Sequence, residues 1–494
     1  MTDLGTRPEP ALRRAAPALL GYAAVRALGL LTLALWSAAR DKSAYTLLTA
    51  RWDALWYTRV AELGYGYEVR LPNGDVHSNL AFFPLLPWLE RLLSAVTSLS
   101  YADAGFVVSL LASLAAAWGV FAVTDHVYGR RAGVCAVLLW AVLPVGIVQS
   151  MAYSESLFTA LAAWSLYAVL TDRWVTAGLL ASLAGLTRPV GLAVAAAVLV
   201  AGSIAFARDR RRASTADGDD RNHVSSGATT PAREPAPHRA TSPDHTPGLT
   251  ADASTPTDQT PESDTDPPHQ APGTPPAARD PRAPDSTSFG SDRSTSRPDG
   301  ALTAEHAPPT ATPSATQRTP SPTRVPASLP LRRALGMAVA PLGTAAYVLW
   351  VGHRTGEGPL GYLDVQAGWR NGFDGGYAFA RFVGDKFTSF PSALAGVGLI
   401  VGVGLVIRLY VTCVRQAQPL PLLVYAGVVT ALALCASSYF GSKPRLLMPA
   451  FPLLLPLALA LARARTRRSA MIVASIATVS ALYGAFWLNG SGPP

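Results

Sequence analysis

Asp53 lies in TARWDALWYTRVAELGYGYE, an acid among Trp52, Trp56 and Tyr57. A carboxylate in such surroundings can take a proton from a hydroxyl as a general base. Aromatic residues beside a membrane are also ordinary interfacial anchors, and an acid next to Arg51 is often a surface ion pair. The motif alone leaves both readings open. His77 and Asn79 follow in the same loop, Glu155 sits in MAYSESLF, Arg188 in LTRPVGL, and Lys443 and Arg445 in GSKPRLLMP. Cations held at a membrane surface suit a phosphate, with headgroup contacts and internal ion pairs as the ordinary alternatives. A carboxylate with two or three cations is what sugar transfer from a lipid phosphate requires: a base for the acceptor hydroxyl and positive charge for the departing phosphate. In-line attack with one base inverts the anomeric centre. Five of the eight histidines fall in one polar stretch, and no Asp/His ligand cluster is visible, so neither a metal nor a cofactor is expected.

These residues sit between apolar runs of the length that spans lipid. Eleven such runs fall near residues 16–38, 104–123, 132–149, 152–170, 174–187, 190–207, 334–352, 388–409, 420–438, 446–462 and 470–488. The fold class they imply is an all-α polytopic membrane protein, with a large first external loop over residues 40–103. The stretch Ala81 to Leu99 is apolar as well, but Pro84, Pro87, Glu90 and Arg91 suit a helix lying in the interface. The net charge of +9 would suggest nucleic acid in a soluble chain; here arginines crowd short loops and helix ends, which is topology information. Arg13, Arg14, Arg130, Arg131, Arg173, Arg208, Arg332, Arg333, Arg408, Arg415 and Arg463 fall on one side if residues 40–103 form a single loop on the other. That side is then cytoplasmic, and the C-terminus is outside. Arg188, Lys443 and Arg445 are exceptions in short external loops, which points to a use for their charge. Arg26, within the first run, receives no role. Cys135, Cys413 and Cys435 form no CxxC pair and read as small buried hydrophobes.

Residues 209–330 differ from the rest, holding 22 of the 41 prolines and a single aromatic, Phe289. Such a segment cannot bury enough apolar surface to offset its ordering entropy, so a disordered cytoplasmic insert is expected between membrane parts 1–208 and 331–494.

The blocks RWDALWYTRVAELGYGYE, NLAFFPLLPWLERL, AYSESLFTALAA, GLTRPVG and KPRLLMPAFPLL resemble the PIG-V-like mannosyltransferases, relatives of the second GPI mannosyltransferase among the GT-C membrane glycosyltransferases. The resemblance implies a polyprenyl-phosphate-mannose donor, inverting and metal-independent transfer, and Asp53 as the catalytic acid of the first external loop. The long insert after Ala207 is not part of that pattern, and Leu446 and Leu447 stand where an aromatic often follows the PR pair.

The expected partners are therefore the lipid bilayer, a polyprenyl-phosphate sugar and a lipid, glycan or protein acceptor, without nucleic acid. Three lysines against 38 arginines, with abundant Ala, Pro and Gly, match a GC-rich bacterial coding bias and so a bacterial plasma membrane. A polytopic transporter or lipid flippase is the alternative. Such proteins often show internal repeats and charges at the midplane, whereas this chain shows no repeat and carries its notable charges at one face.

Overall fold

A backbone in lipid must satisfy its own polar groups, so the apolar runs can persist only as helices. A computed structural model describes residues 10–226, 328–437 and 439–490. Its first half holds helices α1 (Ala11–Ala38), α2 (Ala44–Thr49), α3 (Asp53–Leu63), α4 (Leu85–Val96), α5 (Tyr101–Tyr128), α6 (Arg130–Ala141), α7 (Ser154–Leu170), α8 (Trp174–Gly185) and α9 (Leu192–Ser226). The second half holds α10 (Ser328–Val339), α11 (Leu342–Thr355), α12 (Gly361–Gly368), α13 (Tyr377–Asp385), α14 (Ser392–Arg415), α15 (Leu420–Cys435), α16 (Lys443–Leu447), α17 (Leu455–Arg463) and α18 (Thr466–Leu488). The described residues also hold two short antiparallel ladders, β1 (Glu68–Arg70) with β2 (Val76–Ser78), and β3 (Gly372–Phe373) with β4 (Ala436–Ser437). The chain is an all-α polytopic membrane protein.

Every one of the eleven apolar runs meets a helix, but length and apolarity single out fewer crossings. Six described stretches pass, with α10 and α11 counted together as Leu329–Thr355, and a seventh does if Phe440–Leu447 and Phe451–Arg463, bent by 76°, count as one broken span. Helices α7, α8 and α15 are shorter. The run at 132–149 breaks after Ala141, where Pro144 cannot continue the hydrogen-bond ladder. The stretch around Ala81 to Leu99 forms the 12-residue α4, which turns Leu86 and Glu90 inward while Trp88, Leu92 and Val96 stay exposed.

Small residues let the helices approach closely. A Cβ at Gly178 of α8 would stand 2.2 Å from the Gly336 carbonyl oxygen of α10. At one end of the bundle, arginines tie helices together: Arg14 to Asp125 at 2.5 and 2.8 Å, and Arg333 of α10 to Asp209 midway along α9 at 2.7 Å. At the other end, the last turn of α18 meets the end of α1, with Asn489 Nδ2 donating to Ser37 Oγ at 3.1 Å. Arg26 is buried, and its guanidinium donates to the carbonyls of Ala141 and Gly146, holding the broken end of α6.

The expected insert begins at Asp209, yet α9 continues to Ser226 and α10 already starts at Ser328. Residues 227–327 of that insert lie outside the described residues.

Candidate active site

Four charged side chains from four separate elements converge where helices start or break. Asp53 is the first residue of α3. Trp52 before it has φ 51°, a left-handed backbone that a bulky residue seldom adopts, and the Arg51 guanidinium packs 4.1 Å from its ring. Glu155 stands in the first turn of α7. Arg188 lies in the break after α8, extended as a residue before proline must be. That break is tight: a Cβ at Gly191 would stand 2.5 Å from the Gly185 Cα. Arg445 lies on α16. The bend after α16 is pinned by Trp140 Nε1 on the Met448 carbonyl (3.1 Å) and by the Tyr425 hydroxyl on the Pro449 carbonyl (2.9 Å).

Arg445 Nη1 is 2.9 Å from Asp53 Oδ2, and its Nε is 3.1 Å from Glu155 Oε1. The same Glu155 oxygen contacts Arg188 Nη1. Two negative and two positive groups thus form one neutral cluster. The contacts of Arg445 are ion pairs by distance only, because its buried Nε and Nη1 satisfy no hydrogen-bond geometry. Its guanidinium lies 5.1 Å from the Tyr153 ring centre. Arg188 also donates to Ser154 Oγ at 3.4 Å, and that hydroxyl pairs with the Tyr57 hydroxyl at 2.7 Å. Burial pushes the Tyr57 phenol's pKa up, so at neutral pH it acts as a hydrogen-bonding group.

The other expected residues are placed differently. Lys443 does not join the two arginines: its ammonium donates to the carbonyls of Ala433 (2.8 Å) and Ala436 (2.7 Å), where α15 leaves carbonyls unpaired. The buried Asn79 donates to the Gly64 carbonyl at 2.9 Å and accepts from the Gly66 amide at 3.0 Å, bracing a turn whose two glycines have φ of 77° and 119°. Trp56 stacks on Phe82 at 5.6 Å, and Tyr57 meets the same ring edge-on. His77 stacks on Trp369 at 4.0 Å; burial lowers the imidazole pKa, Asp75 opposes this and Arg370 adds to it.

Sequence reasoning missed three residues. Tyr153 and Ser154 immediately precede Glu155 in the quoted block, and adjacency was the available signal. Trp369 is the third. Its Nε1 donates to the Ser78 carbonyl at 3.0 Å, and it meets Trp56 edge-on at 4.9 Å. Its neighbour Arg370 pairs with Asp75 at 2.6 Å. The segment from α12 to β3 therefore joins the first loop on one side and, through β4, the α16 segment on the other.

This arrangement sets a carboxylate partly open to solvent beside two largely buried guanidinium groups. Residues 79–217 match the model of a family described as dolichyl-phosphate-mannose-protein mannosyltransferase. Together with the long apolar helices, this match supports a membrane glycosyltransferase of GT-C type. The matched region includes Glu155 and Arg188, whereas Asp53 precedes it and Arg445 follows it. No curated protein and no solved structure matches the chain.

Proposed function

We propose that this glycosyltransferase moves mannose from a polyprenyl-phosphate donor to an acceptor at the external membrane face, with inversion, as its likeness to the PIG-V-like enzymes implies. The observation that carries the reading is the contact chain Asp53–Arg445–Glu155–Arg188. Asp53 takes the proton of the acceptor hydroxyl, the acceptor oxygen bonds to the anomeric carbon, and the bond from that carbon to the phosphate oxygen breaks. Arg445 and Arg188 stabilise the leaving polyprenyl phosphate. Trp52, Trp56, Tyr57 and His77 form the aromatic side of the site, and Asn79 and Lys443 hold the loops that carry it. The acceptor is a lipid, a glycan or a protein, and the membrane is a bacterial plasma membrane. A transporter is less well supported, because these charges gather at helix termini rather than along a mid-membrane path.

The test incubates membranes containing the protein with radiolabelled polyprenyl-phosphate mannose and identifies the labelled product. Label that stays on the donor across lipid, glycan and protein fractions would overturn the reading.

A further inference from the structure

Arg445 stands between two carboxylates of unlike character. The Glu155 side chain is 1 % exposed and contacts both Arg445 and Arg188. The Asp53 side chain is 24 % exposed and touches Arg445 alone among these cations. Removing Glu155 from the arginines would strand a buried charge, whereas Asp53 can turn to water and regain its hydration. The weaker link is therefore the one to Asp53. Moreover, the buried Nε and Nη1 of Arg445 lie beside carboxylate oxygens without the alignment of a hydrogen bond. A planar guanidinium held by charge without aligned hydrogen bonds can exchange a carboxylate for the two-point approach of a phosphate.

We infer that the Asp53–Arg445 ion pair is a cap on the base, which the donor's phosphate opens by taking over Arg445 while Glu155 keeps both guanidiniums in place. This rests on the proposed donor. Before the donor arrives, Asp53 is held by Arg445. Once the phosphate is seated, like charge turns Asp53 away from it and toward the acceptor hydroxyl. The hydroxyl proton then passes to Asp53, the new oxygen–carbon bond forms, and the electron pair of the broken bond leaves on the phosphate. Glu155 is accordingly a positioning residue. In this scheme Asp53 competes with the donor for Arg445.

Competition has a sign that can be measured. Full-length protein in detergent micelles is titrated with a short-chain polyprenyl-phosphate mannose, without acceptor. Asp53→Asn should bind it about 3- to 10-fold more tightly than the wild type, and Asp53→Ala should change affinity in the same direction. Arg445→Gln should bind it more weakly. In the Arg445→Gln background, adding Asp53→Asn should produce no tightening, because the contested guanidinium is gone. Simple repulsion between Asp53 and the phosphate would instead persist there. Unchanged or weaker binding by both Asp53 variants, at a melting temperature matching the wild type, overturns the inference, as does tightening that survives loss of Arg445. A wild type that binds the donor but shows no coupling overturns the cap alone; a wild type that does not bind the donor overturns the proposed function with it.

Discussion

Arg333 donates to Asp209 at 2.7 Å although the two lie 124 positions apart in the sequence. Arg333 is buried, with the rings of Trp174 and Phe206 each 5.1 Å from its guanidinium. The ends of the polar insert are thus fixed by contacts inside the helical unit itself. Replacing residues 227–323 with a flexible Gly/Ser linker of about 20 residues should leave expression and transfer within about twofold of the wild type. Complete loss of transfer at normal expression would give the segment a role of its own.

How much of this was legible in the sequence depends on the range of the interaction. Apolar runs and prolines report on local structure, so the helical class and the non-spanning α4 followed directly. Asp53 stood out for its aromatic neighbours, Glu155 for its place at the external start of a run, and Arg188 and Arg445 as exceptions to the positive-inside bias of short loops. The pairing of Asp53 with Arg445 was not legible, since a contact between α3 and α16 leaves no mark in local spacing. Lys443 shows the same limit: beside Arg445 in sequence, it caps the carbonyls of α15. Trp369 was passed over because a loop tryptophan has the same appearance whether it anchors to lipid or joins two loops.

Glu90 provides a pH test. It is buried on the inner side of α4, against Gly105 of α5, and neither carboxyl oxygen has a hydrogen-bond partner. Burial raises its pKa well above the ordinary 4.5. The folded chain keeps this proton while the unfolded chain releases it above that value, so stability is complete below about pH 4.5 and falls as pH rises toward the folded pKa. Glu90→Gln should melt with the wild type near pH 4.5 and above it at pH 8, the gap growing by up to about 1.4 kcal/mol per pH unit. A gap independent of pH would mean that the carboxyl is not kept protonated.

Membrane orientation is checked by cysteine labelling. Gly74 and Gly490 are exposed, as is Ser214 beyond the arginine group of α9. Asn489 is a poor probe because it is buried against Ser37. With an impermeant maleimide on intact cells, Gly74→Cys and Gly490→Cys should react, and Ser214→Cys should react only after permeabilisation. Labelling of Gly74→Cys and Ser214→Cys from the same side would overturn the assignment of faces.

Trp369→Ala removes a ring that stacks on His77 and meets Trp56 and Phe82 edge-on. It leaves the cluster around Arg445 untouched. If the aromatic side serves the acceptor, acceptor KM should rise about tenfold, with donor KM within twofold. Equal loss for both substrates would indicate a general opening of these loops instead.

Asp53→Asn is the decisive variant for the chemistry. It keeps the size and shape of the side chain at the start of α3 and removes the proton acceptor, so transfer should fall by about 100-fold or more at matched protein level. Arg445→Ala should raise donor KM, since it removes a guanidinium from the phosphate side of the site, and it also takes a partner from Glu155. The two variants therefore move donor binding in opposite directions, and only Asp53→Asn removes the proton acceptor. Near-normal transfer by Asp53→Asn in membranes would exclude it as the base. Glu155, the other carboxylate of the cluster, would then be the residue to test, and its burial between two arginines would have to be reconciled with access to the acceptor hydroxyl.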